Sequence, residues 1–193
     1  REDTVLICPE GRINVQEPCF GPQRYYGAGE GLAYELGIPG LEGATAIYQH
    51  KDWWIRPAFM ERLSETPDRT QLILFRKEEV FFALLSVCGE TCRTDMCGKE
   101  EDRLLIRMVP GAGNRNRLSD LSLVIAAGED PYLCCERAVE EALRYLGRES
   151  MLRRHRSYPE MFGYFGWCSW DAFYHQVSHQ GILDKMQEFR TKK

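Results

Sequence analysis

The segment FGYFGWCSWDAFY, which spans residues 162–174, determines how the rest of the chain is interpreted. It contains two of the four tryptophans, and from Phe165 onward it is a short apolar run, rich in aromatic side chains and flanked by glycine. Runs of this length and composition are typical of a buried β-strand rather than of a helix. We therefore predict that a buried strand begins at Phe165 and leads into a polar and aromatic loop.

A helix is predicted immediately after this loop. Ser178 is a suitable N-cap, and apolar side chains then recur at helical spacing. These side chains are Ile182, Leu183, Met186 and Phe189. A buried strand, a loop and an amphipathic helix make one β-α unit, and in a (β/α)₈ barrel the residues at the C-terminal end of such a strand face the active site. Trp170, Asp171 and Tyr174 would occupy that position.

Residues 165–174 resemble the first-barrel-strand motif of the raffinose synthase, seed-imbibition and alkaline α-galactosidase family, which usually has threonine where this chain has Ser169. The resemblance continues upstream in three shorter features. They are the Trp53-Trp54 pair before a proline, the Thr70-Gln71-Leu72 segment, and the glycine-acid-proline sequence at residues 127–131. The likeness covers nearly the whole chain and is strongest from about residue 127 onward.

The resemblance implies a larger parent protein, in which a β-sandwich domain precedes a catalytic barrel that acts on α-galactosides without a metal or organic cofactor. Cleavage or transfer with retention needs two carboxyl groups about 5–5.5 Å apart, and in this family both lie on later barrel strands. A complete barrel takes about 250 residues, whereas this chain gives the barrel only residues 163–193. We therefore assign no catalytic residue and predict that the chain alone is inactive.

Three residues are candidates for sugar binding. By the resemblance, Trp170 supplies a ring for the apolar C–H face of a sugar, and Asp171 accepts hydrogen bonds from sugar hydroxyls. The alternatives are that Trp170 packs at the mouth of the barrel and that Asp171 caps the following turn. Trp53 is a candidate wall for sugar stacking, whereas the alternation of strand side chains predicts that one ring of the Trp53-Trp54 pair lies in the core. The expected ligands are galactose, raffinose, galactinol and sucrose.

Upstream of residue 128 the sequence predicts a mainly β fold. Short β-rich runs are expected at residues 5–7, 45–55, 70–75, 80–87, 103–109 and 121–127. The charged sequence at residues 76–79 predicts a hairpin between two of these runs. Short strands separated by turn signals favour an antiparallel β-sandwich. The glycine-rich sequence at residues 25–31 lacks the Lys-Ser/Thr ending of a P-loop, so a plain loop is favoured there over a phosphate-binding loop.

The most distinct helix signal begins at Asp130, an N-cap that is followed by Pro131 in the first turn. The predicted apolar stripe consists of Cys135, Ala138, Val139, Ala142, Leu143 and Leu146. Gly147 then ends the helix, and for the basic sequence at residues 148–156 a solvated linker is favoured over a phosphate-binding patch. The predicted organisation is a β-sandwich domain at residues 1–128, a linking helix and linker at 129–162, and the first β-α unit of a truncated (β/α)₈ barrel at 163–193.

Composition restricts the classes of function. The chain has 193 residues and a net charge of −4, so it lacks the basic balance of a nucleic-acid-binding domain. No apolar run approaches the roughly 20 residues of a membrane-spanning helix, and no signal-peptide pattern is present. The eight cysteines form no C-x-x-C pair, which favours reduced thiols and a cytoplasmic protein over a zinc site. His175 and His179 are spaced as metal ligands on a helix can be, but without an acidic or cysteine partner no metal is expected.

A barrel strand without neighbours would expose unpaired backbone groups and apolar side chains. Residues 163–193 are therefore expected to fold back on the sandwich, to self-associate with another chain, or to be disordered. Two functions from different classes are predicted. One is an N-terminal part of a raffinose-synthase-like galactosyltransferase or α-galactosidase. This part would brace the barrel and form one edge of the sugar site. The other is a stand-alone carbohydrate-binding or interaction module without catalysis.

Overall fold

The computed structural model describes residues 3–8, 10–12, 32–110 and 117–192. The chain divides into two compact units, Arg1–His155 and Arg156–Lys193, and each is considered by itself. The glycine-rich sequence at residues 25–31, which was predicted to be a plain loop, lies outside the described residues.

The first unit is mainly β, and a long helix follows its last strand. Its strands are β1 (Asp3–Ile7), β2 (Glu10–Arg12), β3 (Leu32–Leu36), β4 (Ala44–Lys51), β5 (Trp54–Met60), β6 (Thr70–Lys77), β7 (Val80–Ser86), β8 (Cys92–Lys99), β9 (Arg103–Pro110), β10 (Arg117–Ser119) and β11 (Leu123–Gly128). The helix is α1 (Pro131–Tyr145). The mainly β class predicted from the sequence is therefore confirmed.

Nine of these strands form one curled antiparallel sheet. One part of the sheet has the order β1-β11-β7-β6-β4-β5, and the other part has the order β8-β9-β3. The two parts are joined by a single pair, Thr70 of β6 opposite Met96 of β8, while β2 and β10 pair separately. The predicted sandwich of two distinct sheets is not confirmed, because this pair makes the two parts continuous.

Side chains from both parts of the sheet make one hydrophobic core. Ile73 and Leu84 come from the first part, Leu104 and Ile106 come from the second, and all four are at most 1% exposed. Burial of each such side chain stabilises the fold by about 1.5–3 kcal/mol relative to an exposed position. The same packing therefore holds the two parts of the curled sheet together.

The hairpin predicted around residues 76–79 is confirmed as β6 and β7. Its turn is shorter than predicted, because Lys77 still pairs with Val80 across the two strands. Only Glu78 and Glu79 connect the strands, and Glu78 adopts a positive φ of 55°. Strand pairing thus extends into the charged sequence, whose side chains lie at the exposed end of the hairpin.

The helix predicted from Asp130 is confirmed as α1. A side-chain oxygen of Asp130 accepts hydrogen bonds from the backbone N–H groups of Tyr132 and Leu133 at 2.8 and 3.1 Å. The buried stripe is Cys134, Ala138 and Ala142. It is displaced from the predicted stripe, which omitted Cys134 and included the 39% exposed Val139. Because these three residues are small, the helix can lie close to the sheet.

The second unit differs from the prediction in one essential respect. Residues 165–168 have no regular secondary structure, and Phe165 is fully exposed at 103%. The predicted buried strand is not formed at Phe165, and the β-α unit of a truncated barrel is therefore not confirmed. A strand needs hydrogen-bonding partners along its edges, and residues 156–192 contain no other strand to provide them.

The helical part of the second unit agrees with the sequence analysis. A single turn, α2 (Trp170–Phe173), precedes a longer helix, α3 (His179–Thr191). The Ser178 hydroxyl caps α3 by accepting a hydrogen bond from the backbone N–H of Gly181 at 3.1 Å. The predicted cap and helix are thus confirmed, and they fix the end of the aromatic segment.

Candidate functional site

Trp170 lies at the start of α2 within a small group of aromatic rings. Its ring meets the ring of Tyr174 edge-on at a centroid distance of 5.7 Å and that of His175 at 5.1 Å. About half of Trp170 remains exposed, at 51%. The two neighbouring rings therefore limit the positions of the indole while leaving part of its surface open to a ligand.

Asp171 follows Trp170 in the same turn of helix and is exposed. Among the described residues its carboxylate has no hydrogen-bond or ion-pair partner. The 3₁₀ turn that follows, Tyr174–Gln176, has Phe173 at its N-cap position and no side-chain cap. The alternative role of Asp171 as a cap is thus not supported, and its oxygens are available to hydroxyl donors.

Tyr174 has an unusual backbone conformation at the end of α2. Its φ is 47° and its ψ is −127°, in a region that side chains other than glycine rarely occupy. Such conformations cost about 1–3 kcal/mol and are found most often at functional sites. The strain occurs at the residue whose ring contacts Trp170, so it coincides with the candidate site.

Trp167 connects the aromatic segment to α3. Its ring makes edge contacts with Phe173 at 6.1 Å and Phe189 at 5.6 Å. Phe189 belongs to the apolar stripe predicted for α3. The indole of Trp167 therefore packs locally, and Trp170 is the more exposed of the two tryptophans in this unit.

Trp53 lies in the first unit, at the tip of the hairpin formed by β4 and β5. It is 84% exposed, and Trp54 is 49% exposed. The prediction that one of these two rings lies in the core is wrong. The sequence at residues 45–55 is not a single strand, because the chain turns at residues 52 and 53, and the turn places both rings beyond the core.

A group of residues next to Trp53 was missed by the sequence analysis. The His50 ring meets Trp54 at 5.0 Å and Tyr48 at 5.9 Å, both edge-on, and the Arg56 guanidinium lies 5.0 Å from the centre of the Trp54 ring. We call Tyr48, His50 and Trp54 the hairpin aromatics. Recognition of the turn at residues 52 and 53 would have shown that these residues lie on two paired strands, because Tyr48 is the cross-strand neighbour of Arg56 and Lys51 that of Trp54.

The three predicted sugar-binding residues do not form one described site. Trp170 and Asp171 are adjacent in the second unit, whereas Trp53 belongs to the first. Their roles in sugar binding stay predictions.

No cluster of three or more His, Cys, Asp or Glu side chains that could hold a metal ion is present in the part of the chain that the structure describes. His175 packs instead against the ring of Trp170. Among the helices of the described residues, none has the length and apolar character needed to cross a bilayer.

The basic sequence at residues 148–156 is not merely a solvated linker. The Arg154 guanidinium lies 2.6 Å from a carboxylate oxygen of Glu136 and also pairs with Glu140, both on α1. Arg148 is 3.9 Å from Glu90. Carboxylates thus compensate part of the positive charge, which argues against the alternative of a phosphate-binding patch.

Comparison with known proteins identifies the family. The chain belongs to the family described as raffinose synthase or seed imbibition protein Sip1, whose sequence profile matches residues 38–192. The matched region includes both the β4–β5 hairpin and the aromatic segment at residues 162–174. The family resemblance recognised in these motifs is therefore confirmed.

Several plant proteins are similar to the chain over most of its length. It is 24% identical over 157 residues to probable galactinol–sucrose galactosyltransferase 1 of Arabidopsis thaliana, covering 75% of this chain and 21% of that protein. It is 27% identical over 156 residues to probable galactinol–sucrose galactosyltransferase 6 of the same plant, covering 71% and 21%. Stachyose synthase of Pisum sativum is 24% identical over 147 residues, covering 75% and 17%. The chain thus spans about a fifth of the length of these curated relatives.

Proposed function

We propose that the chain is the N-terminal portion of a raffinose-synthase-like galactosyltransferase or α-galactosidase that acts on α-galactosides. In this proposal the β-rich unit, a sandwich in the complete protein, braces a catalytic (β/α)₈ barrel. Residues 163–193 supply the first β-α unit of that barrel and one edge of its sugar site. The catalytic carboxylates belong to later strands, so this chain by itself transfers and hydrolyses nothing.

The observation that carries this proposal is the exposure of the second unit. None of the described residues from 156 to 192 is buried, although the segment is rich in large apolar side chains. Tyr158, Met161, Phe162, Tyr164 and Phe165 are all more than 60% exposed. Exposed apolar side chains in this number are typical of an interaction site, and neighbouring barrel strands and helices would cover them.

The exposed indole of Trp170 and the carboxylate of Asp171 support a role in binding sugar. A ring offers a flat apolar surface for sugar C–H groups, and a carboxylate without a partner accepts hydrogen bonds from hydroxyl groups. Galactose, galactinol, raffinose and sucrose are the proposed ligands, because several relatives are named as galactinol–sucrose galactosyltransferases. No metal or organic cofactor is proposed.

Titration of intrinsic tryptophan fluorescence tests this role. We expect galactinol or raffinose to change the emission with a dissociation constant in roughly the millimolar range. The Trp170→Ala variant should lose the response, and Asp171→Asn should weaken it about tenfold, because one charge-assisted hydrogen bond is worth about 1.5–3 kcal/mol. The control is Tyr132→Ala, which removes an 84% exposed ring from the first unit.

An unchanged response in Trp170→Ala would overturn this assignment of the sugar site. If Trp53→Ala abolished the response instead, the wall for sugar stacking would belong to the β4–β5 hairpin. The absence of a response to any sugar would leave the second unit with a structural role only.

A stand-alone carbohydrate-binding module is the alternative function. The hairpin aromatics and the neighbouring Arg56 favour it, because they present an exposed indole and a guanidinium without any part of a barrel. The length of the reading frame separates the two functions: a continuation with further acidic barrel strands supports the enzyme part, and a stop codon after Lys193 supports the module. For either function we propose a cytoplasmic location, because the spacing of the cysteines in the sequence shows no disulfide framework, and this is typical of a reducing compartment.

A further inference from the structure

Among the described residues of the first unit, α1 packs on the outer face of the sheet over β7 and β11. Ala83 of β7 lies beneath α1, and the cross-strand register continues this row outward through Leu74, Thr45 and Phe59. The next row continues through Leu72, Ile47 and Pro57 in the same way. We call the part of this face on β4, β5 and β6 the open face.

The open face is apolar and exposed at its outer edge. Phe59 is 83% exposed and Ile55 is 66% exposed, although both are large hydrophobic residues within a strand. Leu72 and Leu74 are partly buried where the open face meets the cluster beneath α1. The open face is therefore continuous with an existing layer of helix-on-sheet packing.

A shallow groove lies on the open face and reaches β7. Thr45, Phe59, Leu74, Arg76 and Phe81 are among the residues that line it. The Arg76 guanidinium lies 5.8 Å from the centre of the Phe81 ring. The groove thus has an apolar floor and a basic rim, which suits an apolar side chain flanked by polar or acidic ones.

The spacing of the strands shows how much room the open face offers beside α1. Because α1 packs over β7 and β11 and neighbouring strands are about 4.7–4.9 Å apart, the strip over β6 and β4 lies roughly 9–10 Å to one side. Packed helices are separated by about 8–10 Å. The open face therefore has room for one helix beside α1.

We propose that the open face is the docking surface for an amphipathic helix from the catalytic portion of the same polypeptide. This inference rests on the proposed function, in which the polypeptide continues beyond residue 193. The matched part of this chain covers only 21% of each of two relatives, so these relatives contain ample further sequence to supply such a helix. The helix completes the layer that α1 begins and holds the β-rich unit against the barrel.

Photo-crosslinking of the longer polypeptide tests the proposal. Phe59 is exposed, so p-benzoylphenylalanine can replace it without disturbing the core. We expect intramolecular cross-links to one helical segment beyond residue 193. The control places the same group at Val5, a 54% exposed residue of the opposite edge strand β1, where no such cross-link is expected.

A stability comparison provides a second measurement. Phe59→Lys and Ile55→Lys should leave the thermal midpoint of the 193-residue chain unchanged within about 2 °C, because both side chains are exposed there. In the longer polypeptide each should lower the midpoint by about 4 °C or more, while Val5→Lys should not. Cross-links to a second copy, or a dimer of this chain that Phe59→Lys dissociates, would overturn the proposal.

The failure of this inference can be told apart from the failure of the proposed function. A reading frame that stops after Lys193 contradicts the proposed function itself. A longer polypeptide that transfers or releases galactose, but shows no cross-link from residue 59 to any position beyond 193, contradicts only the docking surface.

Discussion

Replacement of Arg107 by methionine is expected to lower the free energy of unfolding by about 3–5 kcal/mol at neutral pH. Arg107 lies on β9 and pairs with Asp95 of β8, whose side chain is only 1% exposed. The Arg107 Nε atom donates a hydrogen bond of 2.7 Å to Asp95 Oδ1. Loss of the guanidinium leaves a carboxylate in the protein interior without its positive partner, and water cannot compensate it.

The loss should depend on pH in a defined direction. Burial raises the pKa of Asp95, and the charge and hydrogen bond of Arg107 oppose this rise, so the pKa is raised further when Arg107 is removed. The native state then binds more protons than the unfolded state between the ordinary pKa of about 4 and the raised value. Stability therefore falls as pH rises through this window, and the defect of Arg107→Met should be smallest near pH 4.

Denaturant unfolding of two further variants controls this experiment. Arg103→Met lies on the same strand but removes a pair with Glu35 in which both side chains are exposed, at 47% and 33%, so it should cost less than about 1 kcal/mol. In Asp95→Leu/Arg107→Met both charges are absent, and most of the stability should return. A loss for Arg107→Met no larger than for Arg103→Met, or one that grows as pH falls, would refute the role given to Asp95.

Substitution of Gly98 by alanine is expected to have the second-largest effect, a loss of about 3 kcal/mol. A Cβ at this position would lie 2.2 Å from the carbonyl oxygen of Ser64 and 2.8 Å from that of Leu63. These are backbone atoms that cannot rotate away. Leu63 is completely buried, and the backbone N–H of Gly98 donates a 2.8 Å hydrogen bond to the carbonyl of Thr66, so β8 and the turn at residues 63–65 would have to separate.

Gly37→Ala is the matched control for Gly98→Ala. Its Cβ would come no closer than 3.0 Å to the flexible end of the Arg103 side chain, so a change of about 0.5 kcal/mol or less is expected. Equal thermal midpoints for the two variants would show that the close approach of β8 to residues 63–65 does not prevent a side chain at position 98.

Local signals were sufficient for the elements that the sequence predicted well. The β6–β7 hairpin has two apolar runs around a charged turn, and α1 has both an Asp130 cap and a helical apolar period. The stripe predicted for α1 differs from the buried stripe because the prediction followed hydrophobicity, and Val139 is more hydrophobic than the residues around it. The residues that α1 buries are Cys134, Ala138 and Ala142, whose small side chains allow the helix to lie close to the sheet.

Other elements depend on contacts that the sequence pattern does not reveal. Strand β8 was not predicted, because Arg93 and Asp95 interrupt its apolar residues and Asp95 is buried only through its pairing with Arg107. The β4–β5 hairpin was interpreted as one strand, because its turn contains Trp53 rather than glycine, asparagine or proline. The hairpin aromatics were missed for the same reason.

The aromatic segment shows why the candidate site was only partly predictable. Its residue types identified the family, and Trp170 and Asp171 are exposed as a binding role requires. The conformation predicted for Phe165 onward is absent, because a buried strand is formed by neighbours on both edges and residues 156–192 provide none. The strained backbone of Tyr174 could not be anticipated from residue types.

Amide hydrogen exchange at residues 165–169 shows whether this segment becomes a barrel strand when the rest of the barrel is present. In the 193-residue chain these amides have no strand partner among the described residues, and we expect them to exchange within seconds. In the longer polypeptide they should be protected at least a thousandfold, as core strands are. Equal and rapid exchange in both proteins, or strong protection already in the 193-residue chain, would contradict the account.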